Sequence, residues 1–153
     1  PKYATDLNGV AWPDYCYERR ELEEHFFVIG DWGGLFRGPG VPPLPAFDGK
    51  RPFLQGIDDQ AQLLVAEQMK IRANVSKPRY LLNVGDNFYW GGVMTQCGLE
   101  TDQVAPSSIA QWQTVYEDVY DGPLLGLPWL GTLGNHDYGG FKFVTGWDQA
   151  IAY

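Results

Sequence analysis

The chain has 153 residues, 44% hydrophobic and 15% aromatic, which is enough for one domain with a sizeable core and too apolar for a disordered tail. Its formal net charge of -8, from 11 Lys+Arg against 19 Asp+Glu, argues against a nucleic-acid surface and against docking on an anionic membrane. No apolar run approaches the roughly 20 residues that a membrane-spanning helix requires.

The chain opens at Pro1 with no Met, secretory apolar region or Arg-rich transit pattern, and reads as a processed or trimmed polypeptide. Residues 1–24 read as an N-terminal extension, in which WPDYCYERRELEE shows no strand alternation and the charges from Glu18 to Glu24 form a solvated face. Residues 25–153 form the body. A first strand is expected near 26–30. The Gly/Pro-rich stretch after it, LFRGPGVPPLPAFDGKRPFLQG, carries five prolines that forbid a regular helix. From Asp58 to Asn74 the pattern predicts a helix, capped by Asp58 or Asp59, with Ala61, Leu64, Val65, Met69 and Arg72 at helical spacing.

A second strand is expected over 80–85, then a turn-rich region from Gly91 to about Pro106. Ser108 with Gln111 makes a capping box opening a helix with Ile109, Trp112, Tyr116, Val119 and Tyr120 on one side, and Gly122-Pro123 stops it. A third strand is expected near 128–133, and the tail FKFVTGWDQAIAY ends without a terminating signal. Strands alternating with helices in the order β-α-β-α-β predict an α/β fold with a parallel sheet and right-handed crossovers. No linker or internal repeat divides the chain.

Each strand runs into a glycine followed by a metal-ligand residue: FFVIGDWGG ends on Asp31, YLLNVGDNFYWGG on Asp86, and LPWLGTLGNHDYGG on Asn135. Ligands of open α/β sheets bind outside the carboxyl ends of the strands. One Gly-Asp is an ordinary turn. Three such endings, carrying Asp31, Asp86, Tyr89, Asn135, His136 and Asp137, point to a metal-dependent hydrolase. The carboxylate of Asp86 has two oxygens able to hold two cations roughly 3.5–4 Å apart. Tyr89, with an ordinary pKa of about 10, suits a trivalent ion better than a divalent one. Asn135 offers a neutral carbonyl oxygen. His25 stands alone before the first strand and is assigned no function.

GDWGG, GDNFYWGG and GNHDYGG resemble the calcineurin-like metallophosphoesterases and, within them, the purple acid phosphatases, above all the mammalian-type, tartrate-resistant form. VYEDVYDGPLLGLPWLGTLGNHDYGG and the terminal QAIAY extend the likeness over roughly residues 26–153, the N-terminal extension and the proline-rich loop lying outside it. The resemblance implies a four-layer αββα sandwich, of which this chain supplies about the first half. It implies Fe(III) held by Asp31 and Tyr89, Asp86 bridging to a divalent iron, zinc or manganese ion, and Asn135 on that second ion. A metal-bound hydroxide would then hydrolyse a phosphate monoester. His136 would contact the phosphate and help protonate the leaving alkoxide, with Asp137 orienting its imidazole. Trp32 and Asn87 read as packing and loop-shaping residues.

The family completes its site with histidines from later motifs, including a GHXH segment, whereas this chain holds only His25 and His136. These 153 residues alone are therefore expected to be inactive until a missing C-terminal half, or another chain, completes the fold. Two classes follow: a dinuclear acid phosphatase, or a phosphatase-fold scaffold or assembly subunit without catalysis. A phosphodiesterase or protein phosphatase of the wider superfamily is disfavoured by Tyr89. Cys16 and Cys97 are two unrelated thiols or one disulfide, and Asn74-Val75-Ser76 is a glycosylation sequon. Together they tilt the expectation toward a secreted, lysosomal or cell-surface protein.

Overall fold

The computed structural model of the chain describes residues 6–7, 10–11, 16–18, 23–33, 60–89, 91–95, 98, 104–139 and 146–153. Three parallel strands, β3 (Phe27–Ile29), β4 (Leu81–Asn83) and β5 (Trp129–Gly131), form one sheet in the order β3-β4-β5. The register aligns Phe27, Leu81 and Trp129, then Val28, Leu82 and Leu130, then Ile29, Asn83 and Gly131. The sequence gives this arrangement through its three apolar runs, separated by helical stretches long enough for crossovers. Each strand is shorter than its apolar run. Gly30-Asp31 and Gly85-Asp86 bend the first two chains away, with both aspartates in the left-handed region at φ 55°.

Alternation along the strands separates two faces. Phe27, Ile29 and Trp129 pack against the core, while Val28 is 58% exposed on the other face. The core is a layer of rings around the buried Trp32, whose ring centroid lies 5.6 Å from those of Tyr116 and Tyr120 and 5.8 Å from that of Trp129. Helix α1 (Ala61–Ser76) covers this layer through Ala66 and Ala73, with Met69 partly buried. The expected face was different: Leu64 and Val65 are exposed at 43% and 48%. Small side chains let the helix axis approach a layer of bulky rings, so alanines and not leucines face it. The helix starts at Ala61 behind Gln60, which makes no side-chain cap, and Asp58 and Asp59 lie outside the described residues.

The capping box is also corrected. Helix α2 (Pro106–Trp112) begins at Pro106, behind Ala105. Proline suits a first helical position, where its missing N–H has no partner to lose. Ser108 is therefore buried inside the helix, and Gln111 instead accepts from the Met94 N–H at 2.8 Å and donates to the Gly92 carbonyl at 3.2 Å. A π-helical turn, Gln113–Glu117, follows directly. Trp112, Tyr116 and Tyr120, spaced four residues apart, stand on the core side. Ile109, expected beside them, is 45% exposed.

Two elements escaped the sequence reading. β1 (Asp6–Leu7) and β2 (Val10–Ala11) pair antiparallel within the N-terminal extension. Two-residue strands are too short to show alternation. Helix α3 (Trp147–Ala152) closes the chain, its Gln149 side chain accepting from the Ala105 N–H at 2.8 Å. The extension also grips the entering end of the sheet. Arg79 donates to the Glu18 carbonyl at 2.9 Å and pairs with Glu24, and its guanidinium lies 4.7 Å above the Tyr17 ring. Cys16 carries an exposed free thiol, whereas Cys97 and the proline-rich stretch of residues 34–59 lie outside the described residues. No helix among the described residues is long and apolar enough to cross a membrane.

Candidate metal centre

The leaving ends of the three strands bring the expected residues to one place. The post-β3 and post-β4 turns are tied by backbone bonds from Asp31 N–H to the Gly85 carbonyl at 3.1 Å and from Tyr89 N–H to the Gly33 carbonyl at 3.2 Å. Gly33 is required by that approach, since a Cβ there would sit 1.6 Å from the Asn87 carbonyl oxygen. The Tyr89 hydroxyl consequently meets both carboxylates, donating to Asp31 Oδ1 and lying 3.2 Å from Asp86 Oδ2. Burial, then the hydrogen bond to Asp31 and the charge of Asp86, push the Tyr89 hydroxyl well above the usual tyrosine range.

The post-β5 turn joins from the other side. The His136 N–H donates to Asp86 Oδ1 at 2.9 Å, and the His136 ring lies 4.3 Å from the Tyr89 ring, centroid to centroid. Gly134 permits this closeness, because a Cβ on it would fall 2.1 Å from Asp86 Oδ1. Asn135 is exposed at the start of the same turn. His25 sits at the opposite end of the sheet, where its carbonyl accepts from the Arg79 N–H at 3.0 Å.

Asp137 is buried at 1% exposure, and its carboxylate links two of the turns. Oδ1 accepts from the N–H groups of Asn87 and Phe88 at 2.8 and 3.1 Å. Oδ2 accepts from the Asn87 side-chain amide and the Gly134 N–H, both at 2.8 Å. Burial raises its pKa, and the backbone donors of Gly134, Asn87 and Phe88 oppose the shift. Asn83, which the sequence reading passed over, lies at the centre of the polar interior. Its only sequence signal is a polar residue inside the apolar run LLNVG.

The donors suit part of a cation site. Two carboxylates gather around the Tyr89 phenol oxygen, and the strand-end loops supply no Lys or Arg over the described residues. The set is also incomplete. Among the described residues no three His, Cys, Asp or Glu side chains gather as a metal-binding group.

A parallel α/β sheet with these side chains at its leaving ends is what part of a metallophosphoesterase fold presents. Comparison with known proteins narrows the class. The chain is 28% identical over 114 residues to tartrate-resistant acid phosphatase type 5 of Oryctolagus cuniculus, a match covering 74% of the chain and 26% of that relative. The Homo sapiens protein of the same name is 27% identical over the same share of the chain, again covering 26% of that relative. Purple acid phosphatase 7 of Arabidopsis thaliana is 31% identical over 115 residues, covering 75% of the chain and 25% of that relative. The likeness to tartrate-resistant and purple acid phosphatases runs over three quarters of the chain and supports an assignment to that family. The chain spans about a quarter of the length of the curated relatives it matches. No family model matches it.

Proposed function

We propose that the protein containing this chain is a dinuclear metal-dependent acid phosphatase acting on phosphate monoesters. The meeting of Asp31, Asp86 and Tyr89 at one point, with the His136 ring against Tyr89, carries this reading. Asp31 and Tyr89 would hold Fe(III), Asp86 would bridge to a divalent iron, zinc or manganese ion, and Asn135 would bind that second ion. Such a pair, when bound, supplies Lewis acidity toward phosphoryl oxygens and activates water. The chain's own residues then divide the remaining work. His136, in the turn that also presents Asn135, receives the phosphate and delivers a proton to the departing alkoxide. Asp137 acts on His136 through the backbone, fixing Gly134 and the post-β4 turn so that the imidazole stands in place.

The remaining ligands and loops belong to chain beyond these residues or to another chain. The open sheet face supports this, since the cross-strand row Val28, Leu82 and Leu130 is apolar and Val28 is 58% exposed. A covering layer would complete the four-layer sandwich. Residues 1–153 alone should therefore give no turnover of an aryl phosphate at acid pH, even with iron and zinc supplied. The whole protein should turn it over, and Asp86→Ala should abolish that activity. A metal-loaded whole protein without turnover would favour the scaffold reading.

A secreted, lysosomal or cell-surface location fits the sequon, because Asn74 is exposed in the last turn of α1 and Val75 beside it is 74% exposed. A glycan there would project from the entering end of the sheet, away from the strand-end site. Expression through a eukaryotic secretory pathway should give a glycosidase-sensitive mobility shift that Asn74→Gln removes. In such an oxidising location the exposed Cys16 thiol, free in this structure, would be available to pair with Cys97, and intact mass with and without reductant tests it.

A further inference from the structure

We infer that Asn83 is a positioning residue that sets the distance between the two metal-binding halves of the site; the inference rests on the dinuclear reading above. Asn83 is the last residue of β4, three before Asp86. Its side chain points into the ring layer because it follows the fully buried Leu81 by two positions. There it touches material from all three strand ends. Oδ1 accepts from Trp32 Nε1 at 2.9 Å, and Trp32 directly follows Asp31. The same oxygen accepts from the Gly85 N–H at 3.2 Å, immediately before Asp86. Nδ2 donates to Asn87 Oδ1, and the Asn87 amide in turn donates to Asp137 Oδ2 at 2.8 Å and to the Thr132 carbonyl at 3.2 Å. The Asn83 carbonyl accepts from the Thr132 N–H at 3.1 Å.

The resulting chain of contacts runs Trp32, Asn83, Asn87, Asp137, Gly134. Its one end follows Asp31 directly and its other precedes Asn135. Asn83 thus bonds through its side chain to the post-β3 and post-β4 turns and through its carbonyl to the post-β5 segment. An amide suits this task better than a carboxylate, because the position must accept from two N–H groups with one oxygen and donate to a third partner with nitrogen. Space also constrains it: a Cβ on Gly131, the neighbour in β5, would lie 3.2 Å from Asn83 Nδ2. Outer partners of metal ligands change metal affinity by about 10- to 100-fold when removed.

The two substitutions to make in the whole protein separate the two sides of the amide. Asn83→Asp keeps an acceptor for Trp32 and Gly85 but turns a lone pair toward Asn87, so it loosens the post-β5 turn that carries Asn135. Asn83→Leu removes both sides. Titration of zinc into the iron-loaded protein should show Asn83→Asp binding the second ion about 10-fold or more weaker while iron content holds. Asn83→Leu should also lower iron content. Val119→Ala, a core truncation outside the chain of contacts, controls for destabilisation and should leave zinc affinity unchanged at a similar loss of Tm. Variants that load zinc within twofold of wild type would overturn the inference, as would an equal loss of zinc affinity in Val119→Ala. A wild-type protein that takes up no second ion would instead sink the dinuclear reading, and this inference with it.

Discussion

The two ends of the sheet are built in different ways. At the entering end, side chains hold the extension to the body: the Tyr17 ring lies tilted 4.9 Å from that of Tyr80, Phe26 stacks on Tyr80 at 5.2 Å, and Arg79 pairs with a partly exposed Glu24. At the leaving end, backbone meets backbone, two aspartates adopt left-handed conformations, and glycines stand where a Cβ would collide. Contacts between flexible side chains tolerate change. Contacts between backbones at van der Waals limits do not. The difference shows where the fold accepts conformational cost, and that is the end where the candidate ligands converge.

Glycine substitution breaks this comparison most sharply. Gly33→Ala places a Cβ 1.6 Å from the Asn87 oxygen, so the post-β3 and post-β4 turns must separate. It should destabilise the protein by about 3–5 kcal/mol in denaturant melts, whereas Gly91→Ala, with open space around it, should stay within about 0.5 kcal/mol. Asp137→Ala comes next. It leaves the N–H groups of Asn87, Phe88 and Gly134 without their acceptor, at about 1–3 kcal/mol for each that stays unpaired and buried. At the entering end, Arg79→Ala should cost only about 1 kcal/mol, since its partner Glu24 is partly exposed. A larger loss than that of Asp137→Ala would reverse the comparison.

A separate effect concerns alkaline pH. Burial raises the Tyr116 hydroxyl from 10.0 to about 12. A group whose folded pKa is raised keeps its full contribution below the unfolded value. Stability should therefore fall as pH climbs from 10 toward 12, because the unfolded tyrosine ionises first. Tyr116→Phe should flatten that slope in melts recorded across the range.

Much of this was legible in the sequence for physical reasons. Buried parallel strands need continuous apolar runs, so all three strands fell where FFVIG, YLLNVG and LPWLG stand. The Gly-Asp and Gly-Asn endings marked the turns that now converge, and the placement of Asp86 beside Tyr89 and the His136 turn follows from them. The faces of the helices were less legible. Periodicity favours the largest apolar side chains, but packing against a layer of rings selected Ala66 and Ala73 over Leu64 and Val65. On the second helix Trp112, Tyr116, Val119 and Tyr120 do face the core and Ile109 does not, while no composition signal announces the π-helical turn. Asn83 was missed because a single polar residue in a strand reads as an interruption, and its three partners lie up to 51 positions away.

The central claim is that Asp31, Tyr89 and Asp86 share a metal ion at the strand ends. Visible absorption of the iron-loaded whole protein under oxidising conditions tests it most directly, because a phenolate bound to Fe(III) gives a charge-transfer band. The account predicts a coloured protein whose band disappears in Tyr89→Phe while the fold persists by circular dichroism. A colourless iron-loaded protein, or a band that survives Tyr89→Phe unchanged, would contradict it.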